Sequence, residues 1–225
     1  MEILNDIPVR LPPGEIRRQL HLDKDKRWEK VQTLIEAAKP LIVPKAAYTV
    51  SYINQKLEQA VDIDGVRFTS RVLRKNLEEV ERVFPYVITI GDKLKEKGSE
   101  SKDLIKEYYY DVIGNIALSA ARKFLEKQLQ SRYGLDGMSC MSPGSLADWP
   151  IEEQKPLFSL FGEEGTPIGV KLNKSLLMLP AKSISGIYFP TEVSFFSCQL
   201  CPRDKCPGRK AAYDNNLAKA YGILK

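Results

Sequence analysis

Three cysteines crowd into Cys198-Gln-Leu-Cys201-Pro-Arg-Asp-Lys-Cys206, and the fourth, Cys140, precedes Met141-Ser-Pro-Gly-Ser145. Every cysteine therefore lies in or beside a motif-like segment. Soft thiolates at CxxC spacing suit zinc, an iron–sulfur cluster or redox chemistry. A metal or cluster site would use Cys198, Cys201 and Cys206, with Cys140 as a fourth ligand where its loop folds back and Asp204 as an alternative. CxxC followed by Cx4C is not the zinc-ribbon pattern, which needs a second CxxC. A disulfide and simple free thiols stand beside the metal as rival readings.

The remaining chemistry is limited by what the chain lacks. Its one histidine, His21, sits in a charged N-terminal stretch without a nucleophile motif, which argues against a Ser-His-Asp or Cys-His hydrolase. A zinc hydrolase with several histidine ligands is excluded. The net charge of +5 is spread through mixed runs such as Asp23-Lys-Asp-Lys-Arg27 and Lys93-Leu-Lys-Glu-Lys97. That is solvated helix surface, not a basic stripe for nucleic acid. No apolar run has the length to span a membrane, and Met1-Glu-Ile-Leu-Asn-Asp is not a signal peptide. A cytoplasmic protein is expected, where clustered thiols are more often metal-binding or catalytic than disulfide-bonded.

The elements that would position these residues follow from periodicity. Helices are predicted over 14–20 and 25–39, the second ended by Pro40, and from a Ser70 cap through Val83. Further helices are expected over 92–97, over 101–132 with Gly134 as the stop, over 152–161, and over 211–224. Strands are predicted in 41–53, with an irregularity at Pro44, and at 86–90, 170–172, 175–178, 183–189 and 192–196. Residues 137–150 read as irregular. Helices and strands mix without βαβ units, and no GxGxxG or P-loop is present, so the expected class is α+β. The chain divides into an N-terminal helical and strand region (1–69), a core (70–196) and a cysteine-rich segment (197–225), read as one folded unit.

Three segments in order carry a resemblance. They are Ser142-Pro-Gly144 with Ala147-Asp-Trp-Pro150; Ile168-Gly-Val-Lys-Leu172 with Ser175-Leu-Leu-Met-Leu-Pro180; and Lys182-Ser-Ile-Ser-Gly-Ile-Tyr-Phe189. Together they resemble the activation, or S-adenosylmethionine-binding, domain of cobalamin-dependent methionine synthase. Asp111 to Leu125 is similar to the family helix before the Pro-Gly loop, so the similarity covers roughly residues 70–196. The resemblance implies a central, mostly antiparallel sheet with helices. It also implies an accessory role in methionine synthase activity: presenting S-adenosylmethionine to an oxidised cobalamin while a low-potential donor, of flavodoxin or ferredoxin type, reduces the cobalt. The cobalamin would be carried by a partner subunit, because 225 residues cannot also hold the substrate and cobalamin domains. Stand-alone relatives often carry a C-terminal cysteine cluster followed by an arginine, here Arg209. No membrane and no nucleic acid enter this reading.

Carried over position by position, the resemblance points to Ser142, Pro143, Gly144 and Ser145 as the ligand loop. Phe196 is the aromatic, Asp111 and Ser119 are the helix positions, and no residue is catalytic. The departures are specific. Cys140 and Ser145 replace the family's loop arginine and tyrosine, Ser119 falls where the helix glutamate belongs, and Phe195-Phe196 replace a tyrosine pair. Charge contacts to the ligand's carboxylate and ammonium are therefore expected to be missing. Adjacent strand residues face opposite sides, so one of Phe195 and Phe196 can meet a ligand and the other is core. The alternative function is a cysteine-cluster, iron–sulfur electron-transfer protein that reduces a corrinoid protein. A zinc-stabilised nucleic-acid module lacks the basic face it would need.

Overall fold

Arg82-Val-Phe-Pro-Tyr-Val-Ile-Thr89 is a run of apolar, β-branched and aromatic residues, and it forms the strand about which the sheet is built. The structure, a computed structural model, describes residues 1–22, 28–162, 166–206 and 208–223. Along the chain the elements are β1 (Glu2–Leu4), α1 (Pro13–Gln19), α2 (Trp28–Ala38), β2 (Lys45–Tyr48), β3 (Ser51–Lys56), β4 (Ala60–Ile63), β5 (Val66–Thr69) and α3 (Arg71–Asn76). They continue with β6 (Arg82–Thr89), α4 (Lys93–Glu100), α5 (Leu104–Tyr133), β7 (Met138–Met141), α6 (Gln154–Ser159), β8 (Lys171–Leu172), β9 (Met178–Leu179), β10 (Ser183–Pro190) and α7 (Asn215–Ala220). Helix, strand and a curled antiparallel sheet make the α+β class expected from the sequence.

The eight-stranded sheet forks at β6. Lys45–Tyr48 of β2 pairs with Thr89–Tyr86, and Ser51–Tyr52 of β3 pairs with Val83–Arg82. Pro85, which cannot donate to a ladder, lies between these two pairings, and its carbonyl accepts the Thr49 amide at 3.1 Å. β10 pairs with β6 and carries β7 in turn. The outer strands are β1 on β2 and the β4–β5 hairpin on β3, while β8 and β9 form a separate pair. The sheet thus joins strands from 1–69 with strands from 70–196.

Alternation along β6 separates two cores. Phe84, Tyr86 and Ile88 face α1, α2 and α5, whereas Val83 joins Phe68, Leu73, Trp149, Leu157, Ile187 and Phe189 on the other side. A smaller cluster gathers Ala47, Val87, Phe158, Phe161, Ile168 and Val170. The C-terminal segment belongs to the second core through Leu200 and Ala218. Asp148, from the Ala147-Asp-Trp-Pro150 segment, ties that core together. It accepts the Ser70 hydroxyl at 2.6 Å, the Val72 amide at 2.9 Å and Arg71 Nε at 3.2 Å, and Ser70 caps α3 through the Leu73 amide at 2.9 Å.

Several expected boundaries move for tertiary reasons. The single strand read over 41–53 is two, β2 and β3, because they bond successive parts of β6. The helix from Ser70 stops at Asn76, since Val83 is buried in β6 instead of continuing a helical face. The stretch 137–150, read as irregular, contributes β7 as a partner of β10. No strand forms over 192–196. α5 starts at Leu104 on an Asp103 cap and ends on Gly134 at φ 63°, close to expectation. The charge run 23–27, the start of the helix expected at Asp25 and the helix end at Leu224 lie outside the described residues. Among the described residues no helix is long and apolar enough to cross a membrane.

Candidate functional site

Cys140 and Tyr188 are cross-strand partners on β7 and β10, so their side chains share one face of the sheet. That face meets α5 at Arg122, whose Nε donates to the Tyr188 hydroxyl at 3.3 Å and whose Nη2 donates to Cys140 Sγ at 3.2 Å. Beyond this contact opens a cavity of about 400 Å³. Its walls are the α5 stripe Ser119, Arg122 and Glu126, the loop residues Ser142 and Ser145, and, from the returning C-terminal segment, Phe196, Cys198, Gly208 and Lys210. A larger, more open groove of about 1090 Å³ near Tyr52, Glu81 and Thr191 gathers none of the residues singled out in the sequence. We therefore place the site in the smaller, better-walled cavity.

The loop owes its shape to glycine and to serine hydroxyls. Gly144 sits at φ +80°, a backbone conformation that glycine adopts without strain, and its amide donates to the Trp149 carbonyl at 2.7 Å. Ser142 Oγ donates to the Ser185 carbonyl at 2.7 Å, and Ser145 Oγ donates to the Ser142 carbonyl at 2.6 Å. Gly186 makes room for this arrangement: a Cβ there would lie 2.3 Å from the Met141 carbonyl oxygen and 2.8 Å from Ser142 Oγ. The opposite wall is pinned by the Phe195 amide, which donates to Ser139 Oγ at 2.8 Å. Arg209 then gathers the cysteine loop. Its guanidinium donates to the carbonyls of Cys198, Cys201, Arg203 and Ala211.

The residues singled out in the sequence divide cleanly. Ser119, Ser142, Ser145, Phe196, Cys140 and Cys198 line the cavity, whereas Asp111, Pro143, Gly144, Cys201 and Cys206 do not. Asp111 lies two turns from Ser119 along α5, in an ion pair with Lys182 at 2.6 Å. Pro143 and Gly144 act on the loop backbone. Both adjacent phenylalanines reach the cavity, Phe195 buried and stacked on Tyr221 at 5.8 Å and Phe196 38% exposed. All four cysteines are free thiols, and among the described residues no three Cys, His, Asp or Glu side chains come together as a metal site. Cys140 and Cys198 line the cavity, whereas Cys201 and Cys206 lie outside its lining.

The sequence reading missed Arg122, Glu126 and Lys210, which line the cavity. Ser119, Arg122 and Glu126 are spaced by three and four residues, which puts them on one helix face; that periodicity was the available signal. With them the cavity carries both signs of charge. Burial disfavours the Arg122 cation and Cys140, Tyr86 and Tyr188 beside it act the other way, the net direction being a raised pKa. Burial pushes the Cys140 thiol up, against the pull of Arg122 and Lys210. Burial likewise raises Tyr86 and Tyr188, and it lowers Lys210, assisted by Arg122.

These shifts predict a one-sided pH response. Cys140, Tyr86 and Tyr188 hold their protons more tightly folded than unfolded. Their stabilisation is complete below the unfolded-state values and is lost as pH rises through the folded ones. The urea midpoint should stay flat through neutral pH and fall from about pH 9 upward. Tyr188→Phe should make that fall shallower. A midpoint independent of pH into the alkaline range would contradict the buried cluster.

Residues 141–210 match the family model described as the vitamin B12-dependent methionine synthase activation domain. Among solved structures, the MetH reactivation domain bound to AdoHcy is similar, with TM-score 0.60 and 13% sequence identity over 87% of this chain and 81% of that one. No curated protein matches the chain. The matched segment takes in the Ser142–Ser145 loop, β10 and the chain to Lys210, so it supplies the loop and C-terminal walls of the cavity, while the α5 wall lies outside it. Both comparisons bear out the resemblance read from the sequence.

Proposed function

Because this chain carries the activation-domain segment of vitamin B12-dependent methionine synthase on that domain's fold, we propose that it is an accessory subunit for reductive reactivation of a methionine synthase. It would present S-adenosylmethionine to a cobalamin held by a separate partner subunit in the cytoplasm, with a flavodoxin- or ferredoxin-type donor. The observation that carries this reading is the cavity itself. It is about 400 Å³, is walled largely by the family segment, and brings Ser119, Ser142, Ser145 and Phe196 to one space.

The partner's cobalamin supplies the cobalt: one electron from the donor and one methyl from the sulfonium return it to methylcobalamin, releasing S-adenosylhomocysteine. This chain's share is positional. Ser142 and Ser145 offer hydroxyls beside a loop that glycine brings close. Phe196 offers an exposed ring for the sulfonium or the adenine at the mouth. The Arg122 side chain closes the inner end. No side chain here is placed as a general acid or base, and none is needed for methyl transfer to a reduced metal.

The test is the visible spectrum of a cob(II)alamin-form methionine synthase core, mixed with this protein, a low-potential reductant and S-adenosylmethionine. Conversion to methylcobalamin is expected only when the chain is present. Absence of conversion would defeat the proposal. If cobalt reduction were still accelerated, the reading would pass to electron transfer through the cysteine segment.

A further inference from the structure

Cys198-Gln-Leu-Cys201 has no part in the methyl transfer, and its geometry sets it apart from the other thiols. Three successive backbone bonds run through it: the Gln199 amide to the Phe196 carbonyl at 2.8 Å, Leu200 to Ser197 at 3.1 Å and Cys201 to Cys198 at 3.3 Å. Each closes a turn of 3-10 type. In such a turn side chains three apart eclipse one another, and a rise of about 2 Å per residue puts their Cα atoms about 6 Å apart. Disulfides bridge Cα separations of about 4.4–6.8 Å. The turn is also held from outside. Arg209 donates through Nη1 to the Cys198 carbonyl at 2.9 Å and through Nη2 to the Cys201 carbonyl at 3.0 Å. The main chain at both cysteines is therefore fixed by one planar group.

The two half-buried thiols face different surroundings. Cys198 lines the cavity and its Sγ accepts the Lys210 amide at 3.4 Å, whereas Cys201 packs against the second core. A reagent in the cavity meets Cys198 first, with Cys201 behind it. Cys140, the other thiol in this space, is a poor rival: burial makes it hold its proton more tightly, and the thiolate is the nucleophile. Cys206 lies five residues beyond Cys201, outside the turn.

We propose that Cys198 and Cys201 are a dithiol–disulfide exchange pair, Cys198 attacking and Cys201 resolving, whose oxidant is a low-molecular-weight disulfide. A space of about 400 Å³ admits such a molecule and not a folded protein. The Cys198 thiolate attacks one sulfur of the reagent, whose S–S bond breaks; one half leaves as a thiolate and the other stays in a mixed disulfide on Cys198. The Cys201 thiolate then attacks Cys198 Sγ, the mixed disulfide breaks, and the second half leaves. The protons of the two protein thiols end on the two leaving groups. Two protein thiols are thus oxidised by two electrons, and one disulfide is reduced to two thiols. This activity does not depend on which other ligand the cavity takes.

The experiment treats the fully reduced protein, without air, with bis(2-hydroxyethyl) disulfide, then quenches with acid and maps thiols and crosslinks by peptide mass. The native protein should lose two of its four thiols, release two equivalents of 2-mercaptoethanol and carry one crosslink, Cys198 to Cys201. Cys201→Ser should stop at the mixed disulfide on Cys198. Cys198→Ser should be modified at Cys201 at least about 10-fold more slowly than the native protein. A crosslink through Cys140 or Cys206, or adducts without a crosslink, would overturn the pairing. An adduct on Cys206 in place of Cys198 in the Cys201→Ser protein would overturn the order of attack. The pairing is read on the native protein, so it is decided even where a serine variant does not fold.

Discussion

Trp149→Ala should destabilise the protein by about 3–5 kcal/mol, the usual range for emptying a buried tryptophan site. Trp149 is 0% exposed and meets Phe68 edge-on at 6.3 Å. Its Nε1 donates to Glu153 Oε2 at 3.4 Å, and the same carboxylate oxygen accepts the Thr69 amide at 3.1 Å. Burial raises the Glu153 pKa while these two donors oppose the rise, so removing the indole leaves a part-buried carboxylate with one partner fewer. Phe68 belongs to β5, Trp149 to the segment after the Pro-Gly loop, and both face the second core. The cavity created would be flanked by sheet and helix on two sides, which limits collapse. For a chain of this size the midpoint of thermal unfolding should fall by about 10 °C. A fall below about 3 °C would show that Trp149 is not the wedge between the β4–β5 hairpin and the loop.

Gly186→Ala is expected to be nearly as costly and more local in its consequence. The new methyl would stand 2.3 Å from the Met141 carbonyl oxygen, 2.8 Å from Ser142 Oγ and 3.1 Å from the Tyr86 hydroxyl. A backbone oxygen cannot turn aside as a side chain can, so β7 must move away from β10. Overpacking of this kind costs about 3 kcal/mol. The strand that moves carries Cys140 and leads directly into the Ser142–Ser145 loop, so the cavity should lose its inner wall together with the Ser142 to Ser185 hydrogen bond. The expected readout is a lower urea midpoint, with affinity for S-adenosylhomocysteine lost beyond what the unfolded fraction explains. Native-like affinity in a folded Gly186→Ala protein would mean that the loop does not depend on this close approach.

The long helix, its Gly134 stop, the Ser70 cap and the two central strands were legible because each is encoded locally, by an apolar period, a capping residue or a β-branched run. What failed was decided by partners distant in sequence. Val83 fits a helical face drawn from Leu73, Leu77 and Val80, but pairing with Ser51 places it in β6. Val193 to Phe196 have strand composition, yet the Phe195 amide is taken by the Ser139 side chain instead of a strand carbonyl. The site followed the same division. Ser142, Ser145, Phe196, Cys140 and Cys198 were accessible through motif and composition. Arg122, Glu126 and Lys210 looked like ordinary surface charges, because nothing local shows that a helix face and a C-terminal strand of chain converge on Cys140.

Arg209 separates the form of the cysteine loop from its sulfur chemistry. One guanidinium binds carbonyls from Cys198 to Ala211, so the bend that carries this wall back to Lys210 is held by the main chain and an arginine. Sulfur adds one contact to that frame, the Lys210 amide donating to Cys198 Sγ at 3.4 Å, whereas the guanidinium holds four carbonyls. Replacing the arginine would release the frame and leave the sulfur atoms intact but no longer held in place.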